Sequence, residues 1–115
     1  MKNKEKLYQR FMRDPLPHRL GGLSATLGRI SCSARQSTDA DQITNLLDEA
    51  KHLIEWTAAE AEPEIGYRLV EMQRLIVLWQ KVWTKTEATR EQRILLATQA
   101  KQWADQTLEF SGLVL

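Results

Sequence analysis

The sequence predicts an all-α fold, an antiparallel up-down four-helix bundle preceded by a short N-terminal amphipathic helix. Three observations carry this expectation. Apolar side chains recur at spacings of four and three residues along most of the 115-residue chain, the period of a helix that buries one stripe. The two-residue alternation of a half-buried strand is absent. The connections between periodic segments are short, so successive helices are expected to lie antiparallel.

The first element spans residues 4–13, with Leu7, Tyr8, Phe11 and Met12 on one side and Lys4, Lys6, Arg10 and Arg13 on the other. Asp14-Pro15 stops it, because proline biases its predecessor away from the helical region. A second helix is expected over about 17–35, since Pro17 suits a first helical turn. Its seam is Leu16, Leu20, Leu23, Leu27, Ile30 and Ala34, a heptad repeat. Nearly opposite lies a strip of small residues, Gly21, Ala25, Gly28 and Cys32. Each glycine costs a helix about 1 kcal/mol relative to alanine, so a second backbone is expected to approach closely there.

The third helix, about 39–57, starts at a Thr38 cap, with Asp39 and Asp41 suited to the positive end of the helix dipole. Ile43, Leu46, Leu47, Ala50, Leu53, Ile54 and Thr57 form its inward face, and Asp48, Glu49, Lys51, His52 and Glu55 its outer one. A turn falls somewhere in 57–62, where a Thr57–Glu60 capping box competes with a start at Pro63. The fourth helix, about 60–83, has the seam Ile65, Leu69, Met72, Ile76, Trp79 and Trp83. It is apolar on its back as well, at Tyr67, Val70, Val77 and Leu78, as in a helix buried on several sides. Two overlapping capping boxes, Thr84 with Glu87 and Thr89 with Gln92, open a fifth helix over about 87–111. Its seam is Leu96, Ala100, Trp103, Thr107 and Phe110. Ser111-Gly112 ends it, and Leu113-Val114-Leu115 is expected to tuck onto the body. The chain thus divides into a basic arm, 1–14, and a bundle domain, 15–115.

Composition excludes several classes. Apolar residues make up 43% and charged residues 27%, which fits a globular chain. One cysteine excludes an internal disulfide and a Cys-based zinc site. No run of about 18 apolar residues spans a bilayer. Lys2, Lys4 and Lys6 are followed by no apolar core, so no secretory leader is expected, and a reducing, cytoplasmic location fits. The formal charge is +1, unevenly spread: residues 1–35 carry eight basic and two acidic side chains, residues 36–115 eight and thirteen. The arm Lys2, Lys4, Lys6, Arg10 and Arg13 either folds back on the acidic body, stays solvated, or docks on nucleic acid or an anionic membrane surface. The thin spread of charge and the lack of a stacking cluster disfavour the last.

No motif fixes a reaction. Glu49 and His52 have the Glu-x-x-His spacing of di-iron bundles, but the second pair and the extra carboxylates are missing, and His52 reads as a solvated surface residue. His18 reads as a helix-terminal surface residue and Cys32 as a small packing residue. Gly21-Gly22 lacks the lysine and hydroxyl of a phosphate loop. Neither a catalytic set, nor a metal, nor a cofactor is expected. Trp79, Trp83 and Trp103 fall on inward seams, whereas Trp56 lies off its helix's apolar stripe, as a flank or an exposed anchor.

The strings Leu16-Pro17-His18-Arg19-Leu20-Gly21-Gly22-Leu23, Ile54-Glu55-Trp56-Thr57-Ala58 and Leu108-Glu109-Phe110-Ser111-Gly112-Leu113 resemble small helical proteins of cyanobacteria to which no activity is assigned. The resemblance implies a cytoplasmic bacterial protein and nothing about reaction or ligand. The residues themselves favour a non-enzymatic interaction module, partnered by itself or by another protein, through Gly21, Ala25, Gly28, Cys32, Trp56, Tyr67, Val70, Val77 and Leu78. The alternative is a small-molecule binder with an apolar or aromatic ligand among Met72, Trp79, Trp83 and Trp103.

Overall fold

The computed structural model describes residues 3–36, 40–85 and 88–113, without the side chains of Thr84 and Lys85. Lys2, the Thr38 cap with Asp39, the Thr84–Glu87 box and Val114-Leu115 therefore fall outside the description. The elements are α1 (Lys4–Met12), α2 (Leu16–Arg35), α3 (Ala40–Thr57), a 3₁₀ turn (Ala58–Glu60), α4 (Pro63–Lys85) and α5 (Arg90–Ser111). All the regular structure among the described residues is helical, and five helices pack together.

The local signals act largely as expected. The Thr89 hydroxyl accepts from the Gln92 amide at 3.1 Å and the Gln92 side chain accepts from the Thr89 amide at 2.8 Å, a complete capping box. Gly112, at φ 71, takes the left-handed conformation that ends α5. Pro15 caps α2 from an extended conformation, with Pro17 inside the first turn. The Thr57–Glu60 box does not form. The Thr57 hydroxyl donates back to the Leu53 carbonyl at 2.7 Å, and Glu60 is drawn to Arg19 instead.

The heptad seams supply one continuous core. Leu20, Leu23, Leu27, Ile30 and Ala34 of α2 meet Ile43, Leu47, Ala50 and Ile54 of α3, Leu69, Met72, Ile76 and Trp83 of α4, and Leu96, Ala100 and Trp103 of α5. Phe11 of α1 joins the same core, and Leu7 and Met12 pack against it.

Side-chain size sets the helix spacings. The backbones of α2 and α5 are the closest pair, because Ser24 and Ser31 face Ala97, Ala100 and Ala104. Ser24 Oγ donates to the Ala104 carbonyl and Ser31 Oγ to the Ala97 carbonyl, each at 2.7 Å. Seven residues up α2 match seven residues down α5, so this pair is antiparallel and in heptad register. By contrast α4 and α5 stand apart, held by large side chains. Trp79 and Trp83 pack edge to face at 5.9 Å, Trp79 Nε1 donates to Gln99 Oε1 at 2.7 Å, and the Thr107 hydroxyl lies 3.8 Å from Met72 Sδ.

This corrects the reading of the small strip on α2. Ala25 and Cys32 are exposed, and a Cβ at Gly28 would meet nothing within 4 Å. Gly21 lies under the Leu113 side chain, not under a backbone. The close approach uses the neighbouring serines. The glycine that does admit a backbone is Gly66 of α4, where a Cβ would sit 2.7 Å from the Ala58 carbonyl oxygen.

Candidate functional site

The outer face of α4 carries four of the exposed large apolar side chains among the described residues. Tyr67 is 66% exposed, Leu78 56%, Val70 42% and Leu75 39%. At 3.6 residues per turn these positions share the half of α4 opposite Leu69, Met72, Ile76 and Trp83, which are buried. Val77 and Val82 are half-buried at the margins of this face. Polar groups punctuate it at Glu64, Glu71, Arg74 and Lys81, all exposed. The Tyr67 hydroxyl donates to the Glu71 carboxylate, and that bond, with the adjacent negative charge, holds its pKa above the ordinary tyrosine range. Arg68 sits 3.6 Å from Glu64 one turn before it.

Along its edge this face runs into the gap between α4 and α5. An open groove of about 310 Å³ there is lined by Tyr67, Arg68, Glu71, Met72, Leu75, Trp103 and Gln106. A second hollow of about 460 Å³ continues it through Glu64, Ile65, Glu109 and Phe110. Met72 and Trp103 of the expected ligand set thus line a groove. Trp79 and Trp83 fill the space between the helices instead. The Trp83 indole N–H is buried without an acceptor among the described residues, and the Arg93 guanidinium lies 5.8 Å from that ring's centroid.

Other exposed apolar side chains are scattered. Ile94 and Leu108 share one side of α5 but stand about 21 Å apart along it, and Leu95 is turned about 100° from Ile94, so they form no comparable row.

The chain itself partly covers Trp56, another residue expected at an interface. Tyr8 of α1 meets Trp56 of α3 edge-on at 5.0 Å, and Phe11 lies 6.1 Å from the same ring. Trp56 is therefore half-buried beneath the arm. His52 is drawn in with it, its ring 5.8 Å from Trp56 and its side chain only 12% exposed. Its Nδ1 donates to the Asp48 carbonyl at 2.9 Å. This corrects the solvated reading of His52: Trp56 and Asp48, each one turn away on α3, take up its ring and its Nδ1.

The charge asymmetry is resolved on α2 and not on the arm. Arg19 makes a forked pair with Glu60 at 2.9 and 3.0 Å, and its Nε donates to the Asp14 carbonyl at 3.1 Å. Arg29 and the Thr26 hydroxyl both donate to Glu49 of α3, at 3.1 and 3.0 Å. Lys4, Lys6, Arg10 and Arg13 are exposed and form no ion pair with a described residue.

One cluster escaped the sequence reading. Arg35, Arg90 and Arg93 line a cleft of about 630 Å³ with Ala34, Ala88 and Ile94, where the end of α2 meets the start of α5. Arg90 and Arg93 are one turn apart, but Arg35 is 55 positions upstream, so no local pattern signals the group.

Among the described residues, no three His, Cys, Asp or Glu side chains converge as a metal site. No helix among them is long and apolar enough to cross a membrane. No protein-family profile, curated protein or solved structure matches the chain.

Proposed function

We propose that this chain is a non-enzymatic helical protein–protein interaction module that forms a homodimer, built as an antiparallel up-down four-helix bundle with α1 laid across one side. One observation carries the reading. Of the two flanks with apolar or small residues, the α2 strip meets Leu113 and Phe11 at Gly21 and Gly22 and is otherwise glycine, alanine and cysteine, while the apolar outer face of α4 has no cover among the described residues. A contiguous row of half-exposed Tyr, Val and Leu side chains is unusual on a monomer and marks an interaction site. The smooth patch Ala25, Gly28 and Cys32 is a lesser candidate surface, because it offers little apolar area. A bacterial, cytoplasmic setting belongs to the same reading.

Light scattering across a micromolar dilution series tests it. A mass near twice 13.3 kDa that falls on dilution is expected. A constant monomer mass over the whole range would remove the proposal.

A second reading, small-molecule binding among Met72, Trp79, Trp83 and Trp103, is favoured by the buried Trp83 N–H that has no acceptor among the described residues. Leaving such a donor unsatisfied costs about 1–3 kcal/mol, which a ligand carbonyl would recover. Tryptophan emission that stays fixed across apolar, aromatic and tetrapyrrole ligands would exclude it.

A further inference from the structure

The self-association reading can be made specific to a register, and the following rests on that reading. Glu64, Tyr67, Glu71, Arg74, Leu78 and Lys81 recur at spacings of 3, 4, 3, 4, 3 on the exposed side of α4. They form an outer heptad seam, back to back with the buried one. Its chemistry has a two-fold symmetry. Reflected about the midpoint between Met72 and Gln73, Glu71 falls on Arg74, Tyr67 on Leu78, and Glu64 on Lys81. Each acid meets a base and each large apolar residue meets another.

We propose that the partner of this surface is a second copy of the chain, docked through an antiparallel α4–α4 pair centred at residues 72–73. Glu71 then faces Arg74 of the partner subunit, and Tyr67 packs on Leu78 of the partner subunit. A two-fold axis makes every contact twice, as an isologous interface requires. Competing arrangements match fewer groups. Parallel in-register pairing sets Glu71 on Glu71 and Arg74 on Arg74. A one-heptad slip of the antiparallel pair keeps one kind of opposite-charge pair, Glu64 with Arg74 or Glu71 with Lys81, but gives up both Tyr67–Leu78 contacts and shortens the seam. Val70, Val77, Leu75 and Val82 flank the seam and supply the apolar margin. Lys81 and Glu71 each also interact within their own chain, and the test is placed on Glu71 and Arg74 because they form the central pair. Exposed ion pairs add little affinity, but like charges placed opposite one another discriminate strongly between registers.

Charge exchange tests the register. In Glu71→Arg each introduced guanidinium meets Arg74 of the partner subunit, and in Arg74→Glu each introduced carboxylate meets Glu71 of the partner subunit. Each single variant is expected to weaken the dimer by about tenfold or more at low salt. The double variant Glu71→Arg/Arg74→Glu restores opposite charges and is expected to recover dimerisation. An equimolar mixture of the two single variants is likewise expected to form a heterodimer. Sedimentation velocity reads all four, and unchanged far-ultraviolet circular dichroism well below the melt shows that the exposed substitutions leave the fold intact. Single variants that dimerise like the wild type, or a double variant and mixture that stay as weak as the singles, would overturn this register while self-association survives through another surface. A monomeric wild-type chain would overturn both.

Discussion

The guanidinium of Arg19 and the carboxylate of Glu60 meet fork to fork, at 2.9 and 3.0 Å, across 41 residues of sequence. Arg19 is nearly buried while Glu60 is half-exposed. The same guanidinium reaches the Asp14 carbonyl and lies 3.5 Å from Met12 Sδ. One side chain thus joins the end of α1, the start of α2 and the turn before α4.

The pair should make stability depend on acid. Arg19 holds the Glu60 carboxyl below the ordinary glutamate range, chiefly through the hydrogen bond and then through its charge. Because the folded pKa is depressed, this contribution is complete above the ordinary glutamate range and fades as pH falls through the lower folded value. Melts of wild type and Glu60→Gln are therefore expected to differ at neutral pH and to converge in acid. A difference that persists unchanged into strong acid would contradict the pairing.

Two glycines, one on α4 and one on α2, should respond with opposite signs. Gly66→Ala drives a methyl group into the Ala58 carbonyl, a backbone atom that cannot step aside, and overpacking of this kind costs about 1–3 kcal/mol. Gly28→Ala meets open space and should gain up to about 1 kcal/mol from helix propensity. Chemical denaturation of the two variants gives the comparison.

Ser24→Ala and Ser31→Ala each delete one cross-helix hydrogen bond, worth about 0.5–1.5 kcal/mol. The sites lie two turns apart, about 10 Å, so the double variant should lose close to the sum. Ser31→Leu should cost more than Ser31→Ala, because bulk there forces α2 away from α5.

Phe11→Ala should loosen α1, with a loss of about 3–5 kcal/mol as for other buried aromatics. Its signature is optical. Trp56 loses part of its cover, so emission shifts to the red before global unfolding. A variant that melts early with no such shift would argue against the Tyr8–Phe11–Trp56 cluster.

Much of the fold is legible in the residues. The α2 seam from Leu20 to Ala34, the α4 seam from Leu69 to Ile76, the Thr89–Gln92 box and the Gly112 stop are local patterns, and local patterns survive into the structure. What could not be read depends on contacts between distant segments. Serine and glycine are both small, so periodicity alone cannot tell whether Ser24 and Ser31 or Gly21 and Gly28 meet α5. Trp56 is covered by Tyr8 and Phe11, which come from a helix far upstream. Arg19 with Glu60, and Arg35 with Arg90 and Arg93, are juxtapositions that need the tertiary arrangement first. The outer face of α4 was legible as apolar, but only the packing of α1 showed which flank the chain covers itself.

Sedimentation velocity on the wild-type chain and on Leu78→Ser tests the central claim most directly. Leu78 is 56% exposed, so its replacement should leave the fold of each subunit intact, read by circular dichroism well below the melt, while the melting temperature falls only by the share that dimerisation contributes. The account expects a dimeric wild type and a folded, monomeric variant at the same concentration. Equal dimerisation by both chains, or a wild type that stays monomeric at high concentration, would contradict it.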